Sequence, residues 1–368
     1  MPRSTFSPRT LPFGPPVAPM LAKVAEAIPR KGGHLFEPKW DGFRTLVFRD
    51  GDQLYLQSRD QKPMLRYFPE LEAPLLAQLP EACVLDGELI VAVDDRLEFE
   101  TLQMRIHPAK SRVQELSEKT PASFVAFDLL ALGGEDLRGA RMTERRERLE
   151  RALADVRDPV FVTPVTRDPD EAQRWFRRFE GAGLDGVIAK PESLTYQPKK
   201  RAMLKIKHVR TCDCVVAGFR WHKKGPGELV GSLLLGLYDL EGQLHHVGVT
   251  SSFKMDQRRA LAEELEPLRE GALDDHPWAG WAKAMEGETR QPGMQSRWSA
   301  GKDLSWEPLR LERVCEVKFD HLQGGRFRHA ATFRHWRHDK PPEACRFDQI
   351  ADVPPYDLER IFAGAPDL

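Results

Sequence analysis

Apolar residues come in short runs broken by turn residues through the first two hundred positions, the pattern of short strands rather than long helices. Thr45 to Phe48 and Leu54 to Leu56 are β-prone runs on either side of Asp50-Gly51-Asp52, which predicts a hairpin. Val84 to Val91 predicts another strand, interrupted by Asp86-Gly87-Glu88, and Ser123 to Leu130 a third. Helical spacing enters later. One helix is expected from Thr143, a good N-cap residue, with Leu149, Leu153 and Val156 on one face; a second is expected from Asp170, with Trp175, Phe176 and Phe179 inward. Strands and helices mixed without regular βαβ spacing predict an α+β domain built on antiparallel sheets.

The texture changes after about His208. Cys214 to Phe219, Leu229 to Tyr238, Leu244 to Val249, Val314 to Phe319 and Arg326 to Phe333 read as five strands, with a helix from Met255 to Leu268. Five strands and one helix in such a length fit a small closed barrel of the OB type. Two domains are therefore expected, 1–208 and 209–368. The first twenty residues, rich in proline, read as an irregular lead-in, and the stretch from Ala279 to Asp303, dense in glycine, tryptophan and charge, as a surface loop or insertion.

Composition narrows the function classes. The 368 residues carry a formal charge of -1, so any nucleic-acid binding must come from local patches and not from bulk basicity. Lys199-Lys200-Arg201 with Lys205 and Lys207 is one such patch, and the Arg-rich stretch from Arg326 to Lys340 another; either also reads as a solvated face. Five cysteines, an odd number without framework spacing, point to a reducing, cytoplasmic setting. Cys212 and Cys214 are too close for a zinc knuckle and lack a second pair, which favours a strand with one inward thiol. No apolar run approaches ~20 residues, and no signal-peptide pattern opens the chain.

The chemistry is concentrated around Glu37-Pro38-Lys39-Trp40-Asp41-Gly42-Phe43-Arg44. A lysine between a proline and a tight Asp-Gly turn can attack a nucleotide α-phosphate as a neutral amine if burial or other cations lower its pKa. Further polar clusters follow in order: Ser58-Arg59, Asp86-Gly87-Glu88, Phe127-Asp128, the run from Asp185 to Lys190, Leu204 to Lys207, and Arg337-His338-Asp339-Lys340. Lys205 and Lys207 are two apart and share one strand face, where two ammonium groups would lower the pKa of Lys39; the plainer reading is a strand edge guarded by lysines.

This ordered set resembles the covalent nucleotidyltransferases, and within them the ATP-dependent DNA ligases. Gln323-Gly324-Gly325-Arg326-Phe327-Arg328-His329 is similar to the compact bacterial subgroup called ligase C, which lacks a helical DNA-encircling domain, and this chain has no room for one before Lys39. The resemblance implies an adenylation (nucleotidyltransferase) domain followed by an OB-fold domain, ATP as AMP donor, and Mg²⁺ or Mn²⁺. It implies that Lys39 forms the lysyl-AMP, that Glu37 accepts a hydrogen bond from the adenine amino group, and that Phe127 stacks on the base. Glu88 and Asp185 match the acidic positions that hold ribose and metal, although relatives carry Glu where Asp185 stands. Lys205 and Lys207 would meet the α-phosphate, Arg44 and Arg59 the ribose or phosphate, and Arg59 also the 5′-phosphate of a nick. Arg337, Asp339 and Lys340 would orient pyrophosphate as it leaves, with a hinge near His208 to Cys212. The implied substrate is nicked double-stranded DNA, met in repair by a monomer with a repair polymerase or primase as partner. An RNA ligase or capping enzyme shares the lysine chemistry, and a non-catalytic nucleic-acid-binding protein could be built from the barrel alone.

Overall fold

A computed structural model describes residues 6–280, 305–350 and 354–363. It divides the chain into two compact units, Met1–His208 with Val353–Leu368, and Val209–Asp352.

The first unit holds two sheets. In the smaller, β1 (Leu21–Ala25), β2 (His34–Pro38), β10 (Val187–Pro191) and β11 (Arg201–Ile206) run in the order β1-β11-β10-β2. The larger is built on β3 (Phe43–Asp50), β4 (Gln53–Ser58), β5 (Ala82–Val93), β7 (Ala122–Leu132) and β8 (Glu135–Asp136), in the order β4-β3-β5-β7-β8. Here β6 (Arg96–Leu97) pairs with β5, and β9 (Val160–Val162) runs parallel to β7. β3 and β4 form the expected hairpin, closed at Gly51 with φ +61°. β5 and β7 lack clean alternation because both of their faces are covered: Leu85, Phe124 and Ala126 enter one core, and Val84, Leu130 and Ala131 the opposite one.

Helices α1 (Glu72–Gln78), α2 (Phe99–Met104) and α3 (Lys110–Lys119) lie between β4 and β7 in the chain, and α4 (Met142–Ala152) and α5 (Pro169–Arg178) follow. α4 buries Leu149 as expected, but its N-cap is Arg141 and not Thr143. α5 is capped by Asp168, whose carboxylate accepts from the Asp170 amide, with Pro169 at the first helical position.

In the second unit, β12 (Arg210–His222), β13 (Gly225–Tyr238), β14 (Leu244–Thr250), β16 (Val314–Phe319) and β19 (Thr332–Trp336) run in the order β14-β13-β12-β16-β19, with β15 (Glu307–Pro308) on β12. A parallel bridge from Thr250 to Ala331 joins the two ends, so the sheet closes in the OB manner around Val215, Leu233, Leu235 and Val317. α6 (Met255–Leu265) packs on this core through Leu261 and Leu265. The single strand expected over Arg326 to Phe333 is divided: β17 (Leu322–Gln323) and β18 (Arg326–Phe327) form a ribbon turned by Gly324 and Gly325, both with positive φ, and β19 starts afterwards. Cys212 and Cys214 are both buried, with their sulfurs 3.6 Å apart, because positions two apart on a strand share a face; one inward thiol was too few.

The expected second domain, 209–368, differs from the compact unit Val209–Asp352, because the chain returns to the first unit after it. α7 (Leu358–Phe362) packs Leu358 and Ile361 into the first unit's core. The insertion expected from Ala279 to Asp303 falls almost wholly outside the described residues.

Candidate active site

A cleft of about 280 Å³ separates the two sheets of the first unit. Lys39 stands at the crossing, where the chain leaves β2 in one sheet for β3 in the other. Its backbone is fixed on both sides, the amide donating to the Gly186 carbonyl at 2.8 Å and the carbonyl accepting from the Asp185 amide at 2.9 Å. Gly42 owes its identity to crowding rather than to a tight turn, since a Cβ there would lie 2.1 Å from the Leu89 carbonyl oxygen of β5. Gly186 combines both needs, with φ +122° and the Ile206 oxygen 2.0 Å from the Cβ it lacks.

Asp185 organises the charges. Its Oδ2 lies 2.6 Å from Lys39 Nζ and 2.8 Å from Lys207 Nζ, and its side chain is 6% exposed. Burial raises its pKa, but the two ammonium groups prevail and hold the carboxyl below the usual carboxylate range. The consequence for Lys39 reverses the sequence expectation. Burial lowers its pKa, yet Asp185 first, then Asp41 and Glu88, hold it above the ordinary lysine value. Lys205 carries the expected shift instead: burial, Lys207, Lys39 and Arg59 together push it down against Asp185. Glu88 goes the other way, its carboxyl pushed up to about 7 by burial against the pull of Arg44 and Lys39.

Deeper in the cleft, Glu37 and Lys190 form a buried pair, Oε2 to Nζ 2.7 Å with both side chains 3% exposed. Glu37 Oε1 is buried without a hydrogen-bond partner. Lys190 Nζ also donates to the Phe127 carbonyl at 3.2 Å and lies 4.6 Å from the centre of the Phe127 ring. Arg44 reaches the same ring at 4.4 Å while its guanidinium grips Asp86, which also accepts from the Tyr196 hydroxyl at 2.8 Å. Arg59 and Lys205 line the cleft mouth. Glu37, Lys39, Arg44, Glu88, Phe127, Lys205 and Arg59 are thus gathered in one cleft, with Asp185 and Lys207 tied to Lys39.

Arg337, Asp339 and Lys340 lie in the barrel unit and are joined there. Arg337 donates to both oxygens of Asp213 at 3.1 and 2.9 Å and to Asp339 at 2.9 Å, and Lys340 Nζ donates to Asp213 Oδ2 at 2.9 Å. The Gln349 side chain clamps the Asp213 backbone from both sides, at 2.8 and 3.0 Å.

Sequence reading gave no role to Lys190, Asp86 or Asp213. Lys190 and Asp86 lie in largely apolar strands, at the ends of runs singled out for other members. Asp213 sits between two buried cysteines and carried no motif signal.

Residues 16–207 match the family described as ATP dependent DNA ligase domain, and residues 226–340 match the ATP dependent DNA ligase C terminal region. The chain belongs to the ATP-dependent DNA ligase family. It is 56% identical to DNA ligase C of Mycobacterium tuberculosis over 96% of this chain and 99% of that protein. With DNA ligase C2 of Mycolicibacterium smegmatis the identity is 55%, over 94% and 97% of the two chains. Among solved structures, a Lig E DNA ligase covers 87% of this chain and 99% of its own at TM-score 0.53 and 17% identity, a likeness of fold. No helix among the described residues is long and apolar enough to cross a membrane.

Proposed function

We propose that this ligase seals nicks in double-stranded DNA, taking AMP from ATP onto Lys39 and passing it to the 5′-phosphate. The observation that carries the reading is the single cleft that holds Lys39 against Asp185 and Lys207 at one end and an unpartnered buried Glu37 oxygen at the other. An unsatisfied buried acceptor is costly, and an adenine amino group is the donor it lacks. Phe127 offers a ring face for the base, provided that Arg44 or Lys190 yields the space over it.

In the first step the Lys39 Nζ–P bond forms as the bond from the α-phosphorus to the pyrophosphate oxygen breaks. In the second, the AMP phosphorus passes from Nζ to an oxygen of the 5′-phosphate, and in the third the 3′-hydroxyl attacks that phosphate and AMP leaves. Held by Asp185, Lys39 is an ammonium and no nucleophile. Drawing Asp185 away from Nζ removes the largest raising influence, so that burial, which lowers the Lys39 pKa, meets only the weaker pull of Asp41 and Glu88.

Among the described residues no group of three or more His, Cys, Asp or Glu gathers for a metal. Asp185 and Glu88 still provide the hard oxygen donors that Mg²⁺ or Mn²⁺ uses together with phosphate oxygens. A cation held there would supply phosphate neutralisation and compete with Lys39 for Asp185. Lys205 and Lys207 neutralise the α-phosphate, and Arg59 meets the 5′-phosphate. Arg337 and Lys340, positioned by Asp213 and Asp339, stabilise the departing pyrophosphate.

The test is sealing of a labelled nicked duplex bearing a 5′-phosphate, with ATP and a divalent cation. Full-length product should form with the parent chain and vanish with Lys39→Ala. Sealing that persists with Lys39→Ala, or that needs GTP in place of ATP, would overturn the reading.

A further inference from the structure

We propose that the carboxy-terminal segment 354–363 is a strap that positions the Lys39 loop for adenylation. The inference rests on the reading of Lys39 as the adenylated residue. Trp40, the next residue along, carries its side chain into a socket with two walls. On one side its Nε1 donates to Thr163 Oγ1 at 2.8 Å. On the other, the Phe362 ring stacks on it at 5.0 Å and 7°, and Phe362 stacks in turn on Phe161 at 3.9 Å. Leu358 and Ile361, 5% and 1% exposed, hold the helix of the strap in the same apolar cluster as Trp40. The segment is fitted at its start as well. A Cβ on Gly181 would lie 2.1 Å from the Pro354 carbonyl oxygen, so the strap passes where any other residue would block it.

Lys39 is held on the backbone by Gly186 and Asp185, and through its neighbour by Trp40. Releasing Trp40 loosens the second hold without removing any charged group of the cleft. Trp40 lines the cleft, whereas neither Phe362 nor Gly181 does, so changes at those two positions act on the cleft through Trp40. A nucleophile displaced by about 1 Å loses up to about a hundredfold in rate, because near-attack geometry is lost.

The experiment uses the full chain with Phe362→Ala, Phe362→Tyr and Gly181→Ala. Single-turnover formation of protein-AMP is followed at varied ATP, alongside joining of a pre-adenylated nick and thermal unfolding. Phe362→Ala and Gly181→Ala should slow protein-AMP formation by about ten- to a hundredfold at saturating ATP. Half-saturation by ATP and the pre-adenylated joining rate should stay near the parent's, and Phe362→Tyr, which keeps the ring, should restore the parent rate. Parent-like adenylation by folded Phe362→Ala would overturn the proposal. Equal losses in ATP binding, adenylation and joining would overturn it too, because they mark a merely structural role. Peptide mapping of the adduct on the parent chain separates the two readings: AMP on another lysine rejects the assignment of Lys39 whatever the strap variants do.

Discussion

At the scale of single residues, the site is governed by carboxylates placed among cations. Glu88 is the sharper case. Its folded pKa of about 7 exceeds the ordinary value, so the native state binds the proton more tightly than the unfolded chain does. That contribution to stability is fully present below the unfolded pKa and is lost as pH rises to about 7. Glu88→Gln should therefore stabilise the protein on the order of 1–3 kcal/mol above pH 7 and by little at pH 4, measured by denaturant unfolding at both values. The same change should flatten the rise in metal-dependent protein-AMP formation between pH 6 and 8, since Gln has no carboxylate to ionise. Asp185 behaves differently because two lysines share it. Asp185→Asn removes the charge that holds the Lys39 pKa up but also removes a donor for the cation. We expect the loss of the cation site to dominate and adenylation to fall by at least about tenfold, with Asp185→Glu tolerated. Unchanged sealing rates with Asn at 185 would reject the metal-binding role.

At the scale of elements, the cleft exists because the chain crosses between two sheets at Lys39 and the crossing is tight. Gly42→Ala forces a Cβ against the Leu89 carbonyl of β5, a backbone atom that cannot turn aside. Separation of β3 from β5 should cost about 2 kcal/mol or more and lower adenylation with it, read as a fall in Tm alongside the protein-AMP yield. Much of this architecture was legible beforehand. The hairpin after Lys39 follows from Asp50-Gly51-Asp52, and the barrel from five apolar runs and a helix. The grouping of Glu37, Lys39, Glu88, Phe127 and Asp185 was legible only through their order, because strands that meet across a cleft leave no spacing signal. Three features lay out of reach for physical reasons. The sign of the Lys39 pKa depends on Asp185 lying 2.6 Å from its Nζ, a contact between residues far apart in the chain that no spacing shows. Lys190 and Asp86 are internal partners in apolar strands and have no periodicity of their own. The return of α7 to the first unit is a tertiary event, carried by a five-residue helix too short to announce itself.

At the scale of the whole molecule, the proposed chemistry draws on both units. The cleft lies entirely in the first, whereas Arg337 and Lys340 lie in the second on a shared Asp213. Pyrophosphate leaves only in the first step, so the double change Arg337→Ala with Lys340→Ala should stop protein-AMP formation and spare joining of a pre-adenylated nick. Equal loss in both assays would instead assign these residues to barrel stability or DNA binding. The central claim, that Lys39 is the residue that carries AMP, is tested most directly by incubating the parent chain with ATP and a divalent cation, and then mapping the adduct by peptide mass spectrometry. A single AMP on the peptide containing Lys39, absent from Lys39→Ala, is expected. AMP on any other lysine, or an adduct that survives Lys39→Ala, would contradict it.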